Sequence, residues 1–161
     1  MRVVVAGTFG PLHDGHRALF SEALERGDDG VVVALTSDDL AQQTRHEPRP
    51  VPPFEERKRA VTEAIDELDE WGREVDVQKL HDEFGVAIED PGLDAIVVSP
   101  ETDEEVAEIN RRRREMGMDP LEALVVPYVR AEDGERISST RVVRGEIDEH
   151  GALLDGAAGT G

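Results

Sequence analysis

A single α/β domain with a doubly wound parallel sheet of about five strands is expected from three observations. Short β-branched or apolar runs alternate along the 161 residues with longer stretches of helical periodicity. The first run leads straight into a glycine-bearing turn, GTFGPLHDGH, and then into a helix, which is where such sheets hold phosphates. The length also suits one hydrophobic core rather than two.

The first strand covers residues 2–6, and a helix starts at about Asp14, with Leu19, Phe20, Ala23 and Leu24 at helical spacing. Residues 31–35 make the second strand, and 36–39 cap a short helix or turn. Between 42 and 53 the pattern breaks, because Pro48, Pro50, Pro52 and Pro53 enforce an extended loop. A helix is expected over 54–71, with Ala60, Val61, Ala64, Ile65, Leu68 and Trp71 on one face. Residues 75–80 and 93–98 read as the third and fourth strands. The latter is apolar apart from Asp94, as a strand covered on both faces requires. A helix over 103–116, a strand over 124–129 and a short helix after Ile137 complete the domain, residues 1–150. Residues 151–161 are small and Gly-rich and read as a frayed tail.

The chain carries 37 acidic and 18 basic residues, a net charge of −19, and its only lysines are Lys58 and Lys79. Such a surface repels phosphate backbones, so nucleic acid is not an expected partner. Acid excess with scarce lysine fits a halophilic, salt-rich cytoplasm, where screening relieves self-repulsion. The acids are spread along periodic segments, which excludes an acidic disordered tail. Absence of cysteine rules out disulfides and thiol catalysis. The first strand begins too early for a signal sequence to precede it, and no apolar run is long enough to span a membrane, so a cytoplasmic location is expected.

His13 and His16 stand at the start of the first helix. Gly7 and Gly10 let the backbone turn toward a ligand, and the helix directs its dipole and unpaired amides at the same point. A neutral imidazole donates one hydrogen bond and an imidazolium two, which suits charge gathering on phosphate oxygens. Two competing readings are a helix cap and half of a zinc site, and the latter needs further ligands in a chain without cysteine. A second segment, RISSTRVVRGEID at 136–148, places the hydroxyls of Ser138, Ser139 and Thr140 at a helix start, with Arg141 as a planar cation.

The HDGH turn followed by ISSTRVVR resembles the HxGH nucleotidyltransferase superfamily, Rossmann-like enzymes that join a nucleoside monophosphate unit from ATP or CTP to a phosphorylated acceptor. PFEER at 53–57, VSPET at 98–102, INRRR at 109–113 and RGEID at 144–148 add a similarity to the archaeal and eukaryotic-type phosphopantetheine adenylyltransferases. The resemblance implies adenylyl transfer from ATP, accompanied by Mg²⁺, to 4′-phosphopantetheine. It places His16 at the α-phosphate and departing oxygen, and His13 along the triphosphate. Gly7 and Phe9 belong to the ATP-binding turn, and Thr8 with the backbone from Phe9 holds the acceptor phosphate. Ser138, Ser139, Thr140 and Arg141 grip the β/γ end, and the protein itself supplies no metal ligand.

Arg111 and Arg113 match the family's INRxR pattern and become acceptor-phosphate candidates, while Arg112 and Arg114 read as solvated. Two departures stand out. The family usually has Asp where this chain has Gly10, and a lysine in the loop that here offers Arg45 and Arg49. Rival readings are another HxGH enzyme acting on glycerol phosphate, FMN or nicotinamide mononucleotide, and a noncatalytic nucleotide-binding sensor. The turn begins GTFG rather than GRFQP, and the lip reads ISST rather than ISTT, which separates the chain from two of these. No motif fixes an oligomeric state.

Overall fold

The computed structural model describes residues 1–44, 51–82, 85–100 and 103–154. In chain order these form β1 (Arg2–Gly7), α1 (Asp14–Arg26), β2 (Gly30–Thr36), α2 (Asp38–Thr44), α3 (Phe54–Leu68), β3 (Val75–Leu80), α4 (Gly85–Glu89), β4 (Ala95–Val98), α5 (Asp103–Glu115), β5 (Glu122–Val125) and α6 (Ser139–Val143). The strands pair in parallel in the order β3-β2-β1-β4-β5. The winding direction reverses between β1 and β4, and in such sheets the ligand crevice opens there, beyond the carboxyl ends of the strands.

The alternation of side chains along each strand divides the core into two layers. Val3, Val5, Val31, Val33, Ala95 and Val97 face α1 and α3, meeting Phe20, Leu24, Val61 and Ile65. Their neighbours Val4, Val32, Ala34, Ile96 and Val98 face the other side, against Leu40, Val106 and Ile109. A third, small cluster of Ala131, Ile137 and Ile147 seats the C-terminal segment.

Several expected boundaries move, each for a local reason. The α3 helix stops at Leu68 because the Asp69 carboxylate accepts the amides of Trp71, Gly72 and Arg73 at 2.9–3.0 Å and turns the chain. Trp71 therefore leaves the apolar face and is exposed, with the Arg73 guanidinium over its ring at 5.3 Å. The last strand lies earlier than 124–129: the Val126 amide still reaches the Val98 carbonyl at 2.8 Å, but Pro127 has no N–H to continue the ladder. The fourth strand begins at Ala95 rather than 93, and α4 follows β3 where no element was expected. Gly151 and Leu153, which fall in the expected tail, make contacts with the domain. Gly151 is buried, its carbonyl accepts the Glu132 amide at 2.8 Å, and Leu153 bridges Ile147.

Arg113 requires a correction. Rather than facing a ligand, it is 1% exposed, and it donates to the carbonyls of Asp119, Ala87, Asp90 and Leu93 at 2.7, 2.8, 3.0 and 3.4 Å. Burial pushes its guanidinium pKa down, opposed by the charges of Asp90, Asp119 and Asp94. It ties the end of α5 to α4 and to the segment entering β4, at the opposite end of the sheet from the histidine turn. Arg111 is likewise engaged elsewhere, in exposed ion pairs with Glu108 and Glu115 on its own helix. Hydrogen bonds from Arg111 and Arg112 hold the Glu108 carboxyl at about 2.

Candidate active site

The turn leaving β1 is shaped by Phe9, which adopts φ 50°, a conformation that side-chain-bearing residues enter only when their surroundings impose it. Its buried ring supplies that constraint, packing edge-on against Phe20 at 4.9 Å and against His16 at 5.2 Å. His13 then caps α1, its Nδ1 accepting the Gly15 amide at 3.0 Å. An accepting Nδ1 carries no proton, so the ring's proton is on Nε2 and His13 donates from that side alone. Gly15 is what permits this cap. A Cβ there would stand 2.8 Å from His13 Cε1. The His16 ring stacks on that of His13, centroids 3.8 Å apart and 21° from parallel.

The expected unpaired amides at the start of α1 are not there. The Asp14 amide goes to the Glu149 carbonyl at 2.8 Å, Gly15 to His13 Nδ1, and His16 and Arg17 to the His13 carbonyl at 3.0 and 3.2 Å. The helix still presents its dipole, but hydrogen-bond donation to a ligand falls to the imidazoles.

Both histidines line a cleft of about 220 Å³ over the β1/β4 reversal, together with Ser99 beyond β4, residues 126–129 beyond β5, and Ser138 and Ser139. Ser138 caps α6, its Oγ accepting the Arg141 amide at 3.2 Å, and Ser139 Oγ donates to the Pro11 carbonyl at 2.7 Å. The two motifs, distant in sequence, are thus fastened to each other. Thr140 and Arg141 do not line this cleft. The Arg141 guanidinium pairs with Asp133 at 2.5 Å and Glu146 at 3.8 Å. The same pairing holds the Asp133 carboxyl below its ordinary range. Among the described residues, the guanidinium that lines the cleft is that of Arg136, 4.9 Å from the centre of the Tyr128 ring.

Gly7 ends β1, and Thr8 follows it on the β2 side, where Thr36 Oγ1 donates to Thr8 Oγ1 at 3.1 Å. Beside them lies Arg57 of the PFEER segment, 1% exposed, donating to the Thr8 carbonyl at 3.0 Å. Arg57 also accounts for Gly10: a Cβ at that position would stand 2.7 Å from Arg57 Cδ. Lys79 lies over the Phe54 ring at 4.4 Å. Arg45 and Arg49 fall outside the described residues, as does Thr102 of VSPET.

Reading the sequence missed Arg57, Thr36, Arg136 and Tyr128. A signal existed for Arg57, since Phe54, Arg57, Val61 and Ala64 recur at helical spacing as one buried stripe of α3.

The chain is similar to several known proteins over most of its length. A phosphopantetheine adenylyltransferase of Methanopyrus kandleri is 47% identical over 148 residues, 92% of this chain and 91% of that protein. One from Methanosarcina acetivorans is 42% identical over 153 residues, covering 94% and 95%. A crystal structure of a protein of unknown function from Archaeoglobus fulgidus superposes with a TM-score of 0.68 at 32% identity, covering 78% of this chain and 89% of that one. The cytidylyltransferase-like family model matches residues 4–145, from β1 to just beyond α6, and the chain belongs to that family.

Proposed function

We propose that the protein transfers an adenylyl group from ATP to 4′-phosphopantetheine, forming dephospho-coenzyme A and pyrophosphate in coenzyme A biosynthesis. The observation that carries this reading is the stacked His13 and His16 pair in a cleft at the sheet's reversal point, closed by Ser138 and Ser139. The names of the relatives in Methanopyrus kandleri and Methanosarcina acetivorans support the choice of acceptor.

The acceptor phosphate is already anionic, so no protein nucleophile is required. One of its oxygens attacks the α-phosphorus of ATP as the bond from that phosphorus to the β-bridging oxygen breaks, and pyrophosphate carries the electron pair away. The protein's task is to align two repelling anions and stabilise the charge that builds between them. His16 donates to the α-phosphate and leaving oxygen, His13 donates through Nε2 along the triphosphate, and Ser138 and Ser139 meet its β/γ end. Thr8 holds the acceptor phosphate. Mg²⁺ enters as part of the substrate MgATP, since it bridges phosphates while keeping most of its waters. Among the described residues no group of three or more His, Asp or Glu is placed to hold it, and no helix is long and apolar enough to cross a membrane.

The test is product formation with 4′-phosphopantetheine, glycerol 3-phosphate, FMN and nicotinamide mononucleotide as acceptors, and ATP and CTP as donors. ATP with 4′-phosphopantetheine is expected to lead every other pair by at least about tenfold in kcat/KM, because a site built for amide groups rejects acceptors that leave its polar groups unpaired. Preference for a different acceptor overturns the substrate assignment. No pyrophosphate from any pair favours a nucleotide sensor.

The charge of −19 supports a salt-rich cytoplasm as the setting. Screening shortens the reach of carboxylate repulsion, so the melting temperature is expected to rise from dilute buffer to molar KCl. An unchanged melting temperature removes the halophilic reading and leaves the enzymatic one standing.

A further inference from the structure

Arg57 makes more directed contacts than packing requires. Its Nη1 donates to the Thr8 carbonyl at 3.0 Å, the Thr36 carbonyl at 2.9 Å and Thr36 Oγ1 at 3.2 Å. Its Nε donates to the Pro52 carbonyl at 2.7 Å, and Nη2 to Asp38 Oδ1 at 2.9 Å. A guanidinium has donors and no acceptor, so the direction of every one of these bonds is fixed. Thr36 Oγ1 therefore accepts from Arg57, and its single proton goes to Thr8 Oγ1, 3.1 Å away. The Thr8 oxygen accepts that hydrogen bond, which turns its own proton outward as a donor. A chain of hydrogen bonds that begins at a cation is polarised along its length, so the final hydroxyl donates more strongly than an isolated one. The chain ends at the carboxyl edge of β1 and β2, beside the histidine turn.

Resting on the adenylyl-transfer reading above, we propose that Arg57 and Thr36 are positioning residues for the acceptor phosphate, acting through Thr8, whose hydroxyl they hold as a donor toward an anionic oxygen. The segment containing Arg57 then has a role at the reaction site without touching either substrate.

Steady-state kinetics of Thr36→Val, Thr36→Ser, Thr8→Val and the Thr8→Val/Thr36→Val double variant test this. Thr36→Val is expected to raise KM for 4′-phosphopantetheine about tenfold, the scale of one lost hydrogen bond, with KM for ATP unchanged. Its melting temperature should stay near that of the wild type, since Arg57 keeps its other acceptors. Thr36→Ser, which retains the hydroxyl, should restore the wild-type KM. In the Thr8→Val background, Thr36→Val should add nothing, because the relay acts only through Thr8. Equal changes in both KM values, failure of Ser to rescue, or effects that multiply in the double variant overturn the proposal. Should Thr36→Val not fold, Thr36→Ala removes the hydroxyl without adding volume and is read the same way. A wild-type protein that forms no dephospho-coenzyme A overturns both the functional reading and the relay. An active wild type with a silent Thr36→Val overturns the relay alone.

Discussion

Replacing His16 with alanine is expected to lower turnover about a hundred- to a thousandfold, roughly 3 to 4 kcal/mol of transition-state stabilisation, while ATP affinity stays within a few-fold. The His16 ring is held on two sides, stacked on His13 at 3.8 Å and met edge-on by Phe9 at 5.2 Å. A donor fixed in advance meets little charge in bound ATP and much more as the α-phosphorus changes partners, so its removal weakens the transition state more than the ground state. Single-turnover rates measured beside calorimetric ATP binding separate the two effects. Turnover within a few-fold of wild type would falsify the catalytic assignment.

Arg113→Met is expected to cost about 3 to 5 kcal/mol of folding stability, the scale of leaving several buried carbonyls without their donor. The carbonyls of Ala87, Asp90, Leu93 and Asp119 lose a common donor in a place that water does not reach easily, and each unmade bond costs its own desolvation. Activity per folded molecule should match the wild type, because Arg113 lies beyond the amino end of β4 and the cleft lies beyond its carboxyl end. Arg111→Met is the control. Its pairs with Glu108 and Glu115 are exposed, and pairs of that kind contribute about 1 kcal/mol or less. Urea denaturation with activity normalised to the folded fraction measures both variants. A stable Arg113→Met with a raised acceptor KM would return Arg113 to the reaction site.

The strands were legible because both faces of the sheet are covered, so runs such as 31–35 carry no polar interruption and can be read without a partner. The histidine turn was legible for a related reason: its chemistry is written in adjacent residues. What escaped notice depends on distant partners. Arg57 reaches Thr8 across 49 positions, and nothing local to either residue announces the bond. The arginine run at 111–114 shows both limits. Geometry rules out four arginines on one face, but family matching favoured 111 and 113 together. The helical stripe of Val106, Ile109 and Arg113, each under 7% exposed, identifies which one is buried. An arginine within an apolar stripe was the available signal in α3 and in α5. The acidic partner of Arg141 escaped notice as well, since Asp133 lies eight residues earlier, in a turn that sequence pattern left undescribed.

The bond from Ser139 to the Pro11 carbonyl joins positions 128 residues apart, and the Asp14 amide waits on the Glu149 carbonyl in the same region. During synthesis the histidine turn therefore leaves the ribosome long before the groups that brace it have been made. Contacts of such separation form late, after shorter loops have closed. The central strands can assemble from a partial chain, yet the turn acquires its braces only when translation has passed the closing helix. The shape of the histidine turn is thus tied to synthesis of a segment well over a hundred residues further along the chain.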